Sequence, residues 1–411
     1  MKAIIQKQRE ERDYLLSLNY MPRKTKYNVD ELLQSKQIKL ITGPRRVGKS
    51  TLGLLMLKNK NFAYLNFDDA NLLEHWDENI VNETLKSVYP NYEYLLLDEI
   101  QNLDNWDLWV SKLYRNGVNM FITGSNAKLL SSEMATVLTG RYIQIELLPF
   151  GLKEALEWEG IDNNNNDQAS LTQIIDDYLC NGGYPEIIKN KALANNYLSA
   201  LFDSIILKDI AKRHKVRNIA ELNDLATYLI SNFCNQFSAN KLTEDLGFSS
   251  VATTKKFMNY LKEPYLFFYL PRYNNKLKLM QKAPQKVYII DNGFVTAQAF
   301  NLSDNYGRLL ENQVFIELLR RAYNTEQTLF YYMSRNGKEV DFVLRNGTSI
   351  NCLIQVCYDL SSKKTEDREV NSLIECAEEL KCTNLIIISR HENRIISKKA
   401  HNIKVIPISE F

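Results

Sequence analysis

The sequence predicts an α/β fold in which a P-loop nucleoside-triphosphatase core precedes a helical lid, a winged helix-turn-helix and a C-terminal α/β module. Three observations support this fold class. Short apolar runs alternate with helical patterns between residues 38 and 150, a glycine-rich loop follows the first run, and the pattern becomes helical after Pro149. Such alternation is typical of a parallel sheet covered by helices. A chain of 411 residues also exceeds the usual size of one hydrophobic core, so we expect several domains.

The domain boundaries are predicted where the pattern changes. The P-loop core with an N-terminal extension spans 1–150, the helical lid 151–220, the winged helix-turn-helix 221–300 and the C-terminal module 301–411. Within the lid, the polar stretch 162–167 is predicted to be a surface loop, because short amide side chains compete for backbone hydrogen bonds.

Composition indicates no partner for the protein as a whole. Lys and Arg number 51 and Asp and Glu 49, so the net charge is +2, and a nucleic-acid surface would have to be a local patch. Charges interrupt the apolar start, and no run of about 18 apolar residues occurs, so we expect neither secretion nor a membrane partner. The cysteines lack a metal-ligand spacing, which suits free thiols in a reducing cytoplasm. They are Cys180, Cys234, Cys352, Cys357, Cys376 and Cys382.

The loop after the first apolar run matches the spacing G-x-x-x-x-G-K-[ST] through Gly43, Gly48, Lys49 and Ser50. The two glycines permit backbone angles that turn successive amides toward one anion, and the following helix presents its positive N-terminal end. Lys49 is expected to reach the β- and γ-phosphates of ATP, and the Ser50 hydroxyl to ligate Mg²⁺. The predicted phosphate-binding loop consists of Gly43, Pro44, Arg45, Arg46, Val47, Gly48, Lys49, Ser50 and Thr51.

A second motif ends the apolar run at 95–97 with Asp98 and Glu99, at the edge where the first strand delivers its loop. We expect Asp98 to hold the metal through water, and Glu99 to orient or deprotonate the attacking water. The alternative is that both carboxylates only solvate a strand end. With the glycine-rich loop upstream, the pair is typical of a Walker B motif.

Further candidates follow other apolar runs of the core. Ser125 and Asn126 form a polar tip that can contact the γ-phosphate or water, and Asp68 and Asp69 end another run, where ordinary polar strand ends are the alternative. Arg141 precedes the last run and could meet the γ-phosphate of its own or a neighbouring subunit, the latter in a homo-oligomer. For Arg141 the alternative is a surface ion pair.

Residues 221 to 290 follow the order of a winged helix-turn-helix, with three helices and then an apolar hairpin. The third helix carries Lys255 and Lys256 and could lie in a major groove of double-stranded DNA. In the hairpin connection, Lys276 and Lys278 suit phosphate contacts. Arg272, Lys282 and Lys286 in the same connection, interleaved with Tyr273, also suit phosphate contacts. The alternative is that this charge is the solvated face of a spacer between domains.

The segments GPRRVGKST, YLLLDEIQ, ITGSNAKLL, LTGRY, GGYPEI and EVDFVL occur in this order along the chain. Together they resemble a family of prokaryotic AAA-like P-loop ATPases that carry a C-terminal domain of unknown function, over residues 30 to 360. The resemblance implies an ATPase core, a helical lid that contains Gly182 and Gly183, a winged helix and a terminal fold like that of restriction endonucleases.

Nucleases of that type need acidic metal ligands and a lysine beside the attacking water. Glu311 on a helix and Asp341 in a strand match the first two acidic positions, but Gln355 replaces the third acid and Cys357 replaces the lysine. We therefore expect metal affinity to fall sharply. Three interpretations remain: a weak nuclease with displaced ligands, a non-catalytic DNA-binding relic, and a protein-interaction module. We favour the relic.

Together these features predict an ATP-hydrolysing, DNA-associated switch or motor whose catalytic residues are Glu99, Lys49, Arg141 and Ser125. One alternative is a nucleotide-gated protein-interaction switch that binds no nucleic acid. Another is an ATP-regulated, metal-dependent nuclease.

Overall fold

The computed structural model describes residues 1–125, 138, 140–160, 168–298 and 305–411. The predicted sensor Asn126 and the predicted loop at 162–167 lie outside the described residues. The chain divides into two compact units, 1–148 with 263–265 and 149–262 with 266–411. Among the described helices, none combines the length and the apolar character that a membrane crossing requires.

The first unit contains a five-stranded parallel sheet with the strand order β2-β3-β4-β1-β5. Its strands are β1 (Ile38–Thr42), β2 (Phe62–Asn66), β3 (Tyr94–Asp98), β4 (Asn119–Gly124) and β5 (Tyr142–Glu146). All but the edge strand β5 are almost wholly buried, as expected for apolar runs covered on both faces. The predicted parallel α/β core is confirmed.

Helices connect and cover these strands. They are α1 (Lys2–Ser17), α2 (Val29–Gln34), α3 (Lys49–Leu57), α4 (Ala70–Glu74), α5 (Glu78–Val88) and α6 (Trp106–Arg115). Asn28, Asp69 and Asp77 begin α2, α4 and α5, because their side chains accept backbone N–H groups of the first turn. Arg12 of α1 donates to the carbonyl of Phe62 and stacks on its ring, which fastens α1 to β2.

In its described residues, the second unit begins with α-helices that lead into a π-helix. They are α7 (Leu152–Trp158), α8 (Gln168–Asn181), α9 (Pro185–Lys189), α10 (Ala194–Ser204) and the π-helix Ile205–Lys212. The turn between α8 and α9 is organised by a buried carboxylate. Asp291 accepts the N–H of Gly183 at 2.7 Å and the N–H of Gly293 at 2.9 Å. A Cβ on Gly182 would lie 1.7 Å from Asp291 Oδ1, so this position requires glycine.

The predicted three helices and hairpin are present in the next segment. Its elements are α11 (Ile219–Ser231), β6 (Gln236–Phe237), α12 (Ala239–Asp245), α13 (Val251–Lys262), β7 (Phe267–Pro271), α14 (Leu277–Lys282) and β8 (Gln285–Ile289). The strands form an antiparallel sheet in the order β6-β8-β7. The sequence pattern did not predict α14. Lys286 is only 2% exposed, so its prediction as a phosphate contact was wrong.

The rest of the unit is built on a six-stranded mixed sheet with the order β13-β14-β12-β11-β10-β9. Its elements are α15 (Asn292–Gln298), α16 (Tyr306–Arg320), β9 (Leu329–Met333), β10 (Glu339–Asn346), β11 (Ser349–Val356), α17 (Lys363–Leu380), β12 (Leu385–Ser389), β13 (Arg394–Lys398) and β14 (His401–Pro407). The predicted α/β character of this segment is confirmed. The hairpin of β13 and β14 was not predicted, since β13 is largely exposed and lacks an apolar run.

Candidate active site

The predicted phosphate loop lies between β1 and α3, at the carboxyl edge of the parallel sheet. Gly43 has φ 145°, and a Cβ there would lie 2.0 Å from the carbonyl oxygen of Leu147. Gly48 has φ 91° and precedes the first turn of α3. Gly43 is needed because the chain after β5 passes so close, and Gly48 because its backbone is left-handed. The loop and the N-terminus of α3 therefore have the backbone form of an anion site.

Arg23 supports this loop, although no motif indicated it. Its guanidinium donates to the carbonyl of Val47 at 2.9 Å and to the carbonyl of Leu148 at 2.6 Å. It therefore ties the loop to the chain that follows β5. Arg46 is exposed at φ 67°, and Arg45 beside it is half-buried. A sequence pattern could not find Arg23, because it contributes through tertiary contacts to backbone atoms.

Lys49 lies beneath the loop as the first residue of α3. Its side chain is 3% exposed, its Nζ donates to the carbonyl of Pro44 at 2.9 Å, and the same atom lies 3.8 Å from Glu99 Oε1. The ammonium is thus held between the phosphate loop and an acidic side chain. This is where a cation can act on a phosphate bound by the loop.

Asp98 is buried at the end of β3 and accepts three side-chain hydroxyls. The Ser50 hydroxyl donates at 2.7 Å and the Tyr64 hydroxyl at 3.2 Å, and Thr123 of β4 also donates. The pKa of Asp98 is raised to about 6, mainly by burial and also by the charge of Glu99, while the hydrogen bond from Thr123 opposes the rise. Ser50 and Asp98 together offer the hard oxygen donors that Mg²⁺ prefers.

Glu99 follows Asp98 in a left-handed conformation, with φ 52°. Its N–H donates to Thr123 Oγ1 at 3.0 Å, so one threonine fixes both acidic residues. The Gln101 amide donates to Glu99 Oε2, and its nitrogen lies 3.5 Å from Ser125 Oγ. The structure therefore brings Lys49, Glu99 and Ser125 to one end of the sheet. Thr123 and Gln101 were not predicted, although both lie next to predicted motifs.

Arg141 lies at the other end of the sheet. β5 pairs in parallel with β1, with Tyr142 opposite Ile38, so Arg141 precedes the amino end of β1. The phosphate loop follows the carboxyl end of β1. At the usual rise per residue, the length of β1, about 13 Å, therefore separates Arg141 from the loop. The Arg141 guanidinium instead contacts the Ser111 hydroxyl at 3.4 Å and lies over the Tyr114 ring. The prediction that Arg141 contacts the γ-phosphate of its own subunit was therefore wrong.

The other predicted aspartates of the core have local structural partners. Asp69 begins α4 and accepts the Gln8 amide at 3.1 Å. Asp68 accepts the Asn102 amide at 2.7 Å. Both interactions explain polar residues after β2 without a role in nucleotide chemistry.

In the second unit, three carboxylates surround the ammonium of Lys286. Its Nζ lies 2.6 Å from Glu311 Oε1, 2.8 Å from Glu339 Oε1 and 3.1 Å from Asp341 Oδ1. Burial alone would lower the pKa of Lys286, but these carboxylates raise it well above its ordinary value. The Tyr288 hydroxyl also donates to Glu311, at 2.6 Å. Glu311 and Asp341 are therefore brought together as predicted, but around a lysine from β8.

Gln355 and Cys357 have other partners. The Gln355 amide donates to Glu369 of α17 at 2.9 Å, and the Cys357 thiol donates to the carbonyl of Asp359 at 3.2 Å. Burial raises the pKa of Cys357 to about 12, so the thiol is neutral at physiological pH. Among the described residues, the hydrogen bonds of these two side chains lead to Glu369 and Asp359 and not to the Lys286 cluster.

The four lysines predicted to contact DNA are all exposed. Lys255 and Lys256 lie on α13, Lys276 precedes α14 and Lys278 lies within it. Two apolar side chains accompany the last pair on α14: Leu277 is 65% exposed and Leu279 is 50% exposed.

Family models match most of this chain. A family model described as an AAA domain matches residues 35–156. Two models described as domains of unknown function, DUF8612 and DUF4143, match residues 172–305 and 306–411. The AAA match and the parallel sheet agree on a P-loop ATPase fold for the first unit.

Two relatives share most of the chain. The uncharacterized protein MJ1544 of Methanocaldococcus jannaschii is 35% identical over 92% of this chain and 89% of its own length. An uncharacterized protein of Haemophilus influenzae is 31% identical over 82% of this chain and 87% of its own length. Among solved structures, the Walker-type ATPase PabY2304 of Pyrococcus abyssi aligns with a TM-score of 0.43 at 13% identity, over 69% of this chain and 99% of that chain.

Proposed function

Because this chain belongs to the family that includes MJ1544 of Methanocaldococcus jannaschii, and carries an AAA domain, we propose that it is an ATP-hydrolysing, DNA-associated switch. One observation carries the ATPase assignment. A phosphate loop, a buried lysine, a hydroxyl and two carboxylates meet at one end of a parallel sheet, and their residue types match the parts that phosphoryl transfer needs.

ATP binding is assigned to the backbone and side chains of the loop. Amides of the loop and of the first turn of α3, which includes Thr51, bind the phosphates, and Lys49 exchanges the Pro44 carbonyl for a phosphate oxygen. Ser50 and Asp98 are suited to hold Mg²⁺, because their oxygens already lie 2.7 Å apart. When bound, Mg²⁺ neutralises charge on the phosphates.

Glu99 is the proposed general base. The attacking water forms a bond to the γ-phosphorus and gives a proton to Glu99, while the bond to the bridging oxygen breaks and that oxygen leaves with ADP. Gln101 keeps the Glu99 carboxylate in place through the amide hydrogen bond. Ser125 is proposed to contact the γ-phosphate or the water, since its hydroxyl lies 3.5 Å from the Gln101 amide nitrogen. For Arg141 we propose contact with the γ-phosphate bound by a neighbouring subunit, which requires a homo-oligomer.

The domain assignment beyond the core is also part of the proposal. We assign residues 151–220 to a helical lid, 221–300 to a winged helix-turn-helix and 301–411 to a restriction-endonuclease-like module without nuclease activity. The order of three helices and an antiparallel hairpin supports the second assignment. Duplex DNA is then the partner of the exposed lysines on α13 and α14, through phosphate contacts.

A second candidate function is a nucleotide-gated switch that binds a protein. The specific observation in its favour is the pair of exposed leucines on α14, Leu277 and Leu279, because exposed apolar side chains are typical of protein contacts. If the protein binds another protein through these leucines, Lys276 and Lys278 would be solvent-exposed side chains at the edge of that contact.

ATP turnover with and without duplex DNA, at two salt concentrations, tests the proposed function. We expect measurable hydrolysis that DNA changes, with an effect that weakens as salt rises because phosphate contacts release counterions. Hydrolysis that DNA leaves unchanged at both salt concentrations would favour the protein-binding switch. Absence of hydrolysis would contradict the ATPase assignment itself.

A further inference from the structure

Residues 208–217 are a basic segment that comprises the second half of the π-helix and most of its connection to α11. Five of these ten residues are cations, and all five side chains are exposed. The only acidic residue of the segment, Asp209, is buried. The cations are Lys208, Lys212, Arg213, Lys215 and Arg217. The segment therefore presents positive charge to solvent without acidic neighbours in its own sequence.

A stacked ring pair joins this segment to α13. The rings of His214 and Tyr260 lie 3.7 Å apart between centroids, with an angle of 13° between their planes. The ammonium of Lys256 lies 5.7 Å from the centroid of the same Tyr260 ring. The basic segment is thus fixed beside a lysine of α13, so the two charged surfaces are adjacent.

The exposed side of α13 is a single stripe along the helix. Ala252, Lys255, Lys256, Asn259 and Lys262 are exposed at intervals of three and four residues, which places them on one face. The opposite face is buried through Thr254, Phe257, Met258 and Leu261. No acidic side chain occurs in α13 itself.

One border of this stripe is partly neutralised. A cavity of about 330 Å³ is lined by Lys255, Asn259 and Lys262 together with Gln285 and Glu326. Glu326 lies 3.5 Å from Lys262, so positive charge at that end is offset. Lys256 is therefore the cation of the stripe that adjoins the basic segment, through its contact with the Tyr260 ring.

We propose that residues 208–217 and α13 form one surface that binds the phosphate backbone of double-stranded DNA, with the basic segment as its second set of phosphate contacts. The inference rests on the proposed DNA association and extends it to a segment outside the helix-turn-helix. While α13 faces a groove, cations beside it reach the phosphates that border that groove. The His214 and Tyr260 stack positions the segment for this contact.

Binding of a short labelled duplex by the full chain, measured by fluorescence anisotropy, tests the proposal. Lys212→Ala with Arg213→Ala is expected to weaken binding on the order of a hundredfold near 0.1 M salt, since each lost phosphate contact removes a factor of about ten there. The slope of log K against log salt should become shallower by about 2. ATP affinity should not change.

The matched control is Lys363→Ala with Lys364→Ala, which removes the same charge from two adjacent exposed lysines at the start of α17. It is expected to keep most of the affinity and the wild-type salt slope. Equal losses in both double variants, or no loss in the first, would overturn the proposal. Failure of the wild-type protein to bind duplex DNA would overturn the proposed DNA association and this inference with it.

A second pair of variants tests the positioning role of the stack without changing the charge. Tyr260→Phe keeps the ring that His214 stacks on, whereas Tyr260→Leu removes it. We expect wild-type affinity in the first and a loss of about tenfold in the second. Equal DNA affinity in both variants would contradict the positioning role.

Discussion

At the scale of single residues, a substitution at Glu99 is expected to separate ATP binding from ATP hydrolysis. Its carboxylate is held by Gln101 and lies 3.8 Å from Lys49. Glu99→Gln keeps the shape of the side chain but cannot accept a proton from water. We expect ATP to remain bound while turnover falls at least about a hundredfold, the usual contribution of a general base. Nucleotide titration and phosphate release measure the two effects separately.

Lys49→Ala provides the contrast to that variant. It removes the buried cation beneath the phosphate loop, so ATP binding itself is expected to weaken strongly. If Glu99→Gln turned over ATP at the wild-type rate, Glu99 would not be the base. If Lys49→Ala kept wild-type affinity, the phosphates would lie elsewhere.

Asp291 is a buried titratable group whose effect on stability depends on pH. Burial raises its pKa to about 7, against the two hydrogen bonds from Gly183 and Gly293. The folded state therefore binds the proton more tightly than the unfolded chain, whose value is near 3.8. The contribution of Asp291 to the free energy of unfolding should fall by about 4 kcal/mol as the pH rises from about 4 to about 7, and then level off.

Comparison with Asp291→Asn isolates this contribution, because the other titrating groups are shared. Denaturant titrations between about pH 4 and about pH 7 measure the free energy of unfolding of both proteins. The wild type should lose stability relative to the variant as the pH rises. A difference that stayed constant with pH would mean that Asp291 keeps an ordinary pKa in the folded protein.

At the scale of elements, the turn between α8 and α9 depends on glycine for more than its backbone angle. Gly182 has φ 78°, and a Cβ there would lie 1.7 Å from Asp291 Oδ1. Gly247 has φ 66° but nothing within 4 Å of such a Cβ. Gly247→Ala should cost about 1 kcal/mol for the left-handed backbone. Gly182→Ala should cost at least about 2 kcal/mol more, because the buried carboxylate has to move.

Thermal or denaturant unfolding of the two alanine variants measures this contrast. Since both glycines are left-handed, their difference reports the clash and not the backbone preference. Equal destabilisation of the two variants would show that Asp291 can be displaced without cost.

At the scale of the whole molecule, we expect ATP hydrolysis without a second, nucleolytic activity. Glu311 and Asp341 already bind an internal cation, Lys286, together with Glu339. A divalent ion would have to displace that ammonium from a buried site. Incubation of plasmid or linear DNA with Mg²⁺ or Mn²⁺, with and without ATP, should therefore give no cleavage above background.

Restoring the nuclease pattern by sequence should not change that result. In Gln355→Glu with Cys357→Lys, the new carboxylate would lie beside Glu369, the present partner of Gln355, and the Lys286 ammonium would still occupy the carboxylates of Glu311 and Asp341. Robust cutting by the unmodified protein, lost in Asp341→Ala, would overturn the expectation and assign a nuclease to the C-terminal module.

The sequence by itself determined those features that depend on neighbours along the chain. The predicted phosphate loop could be recognised because its glycines set the local backbone geometry and its lysine and serine follow directly in the chain. The buried strands β1 to β4 could be predicted because each is a short run rich in apolar residues, as expected for strands that helices cover on both faces. The β13–β14 hairpin could not, since the exposed strand β13 carries no such run.

Only the tertiary structure decided which distant residues meet. The pairing of β1 with β5 placed Arg141 at the wrong edge of the sheet for its own phosphate loop. In the folded protein Lys286 is buried among three carboxylates. Its sequence context nevertheless resembles that of the exposed lysines at 276 and 278. Gln355 and Asp341 were matched to one site by spacing, yet their side chains bind different partners. Strand register and the face on which a side chain lies are set by contacts far apart in sequence, and spacing alone does not contain them.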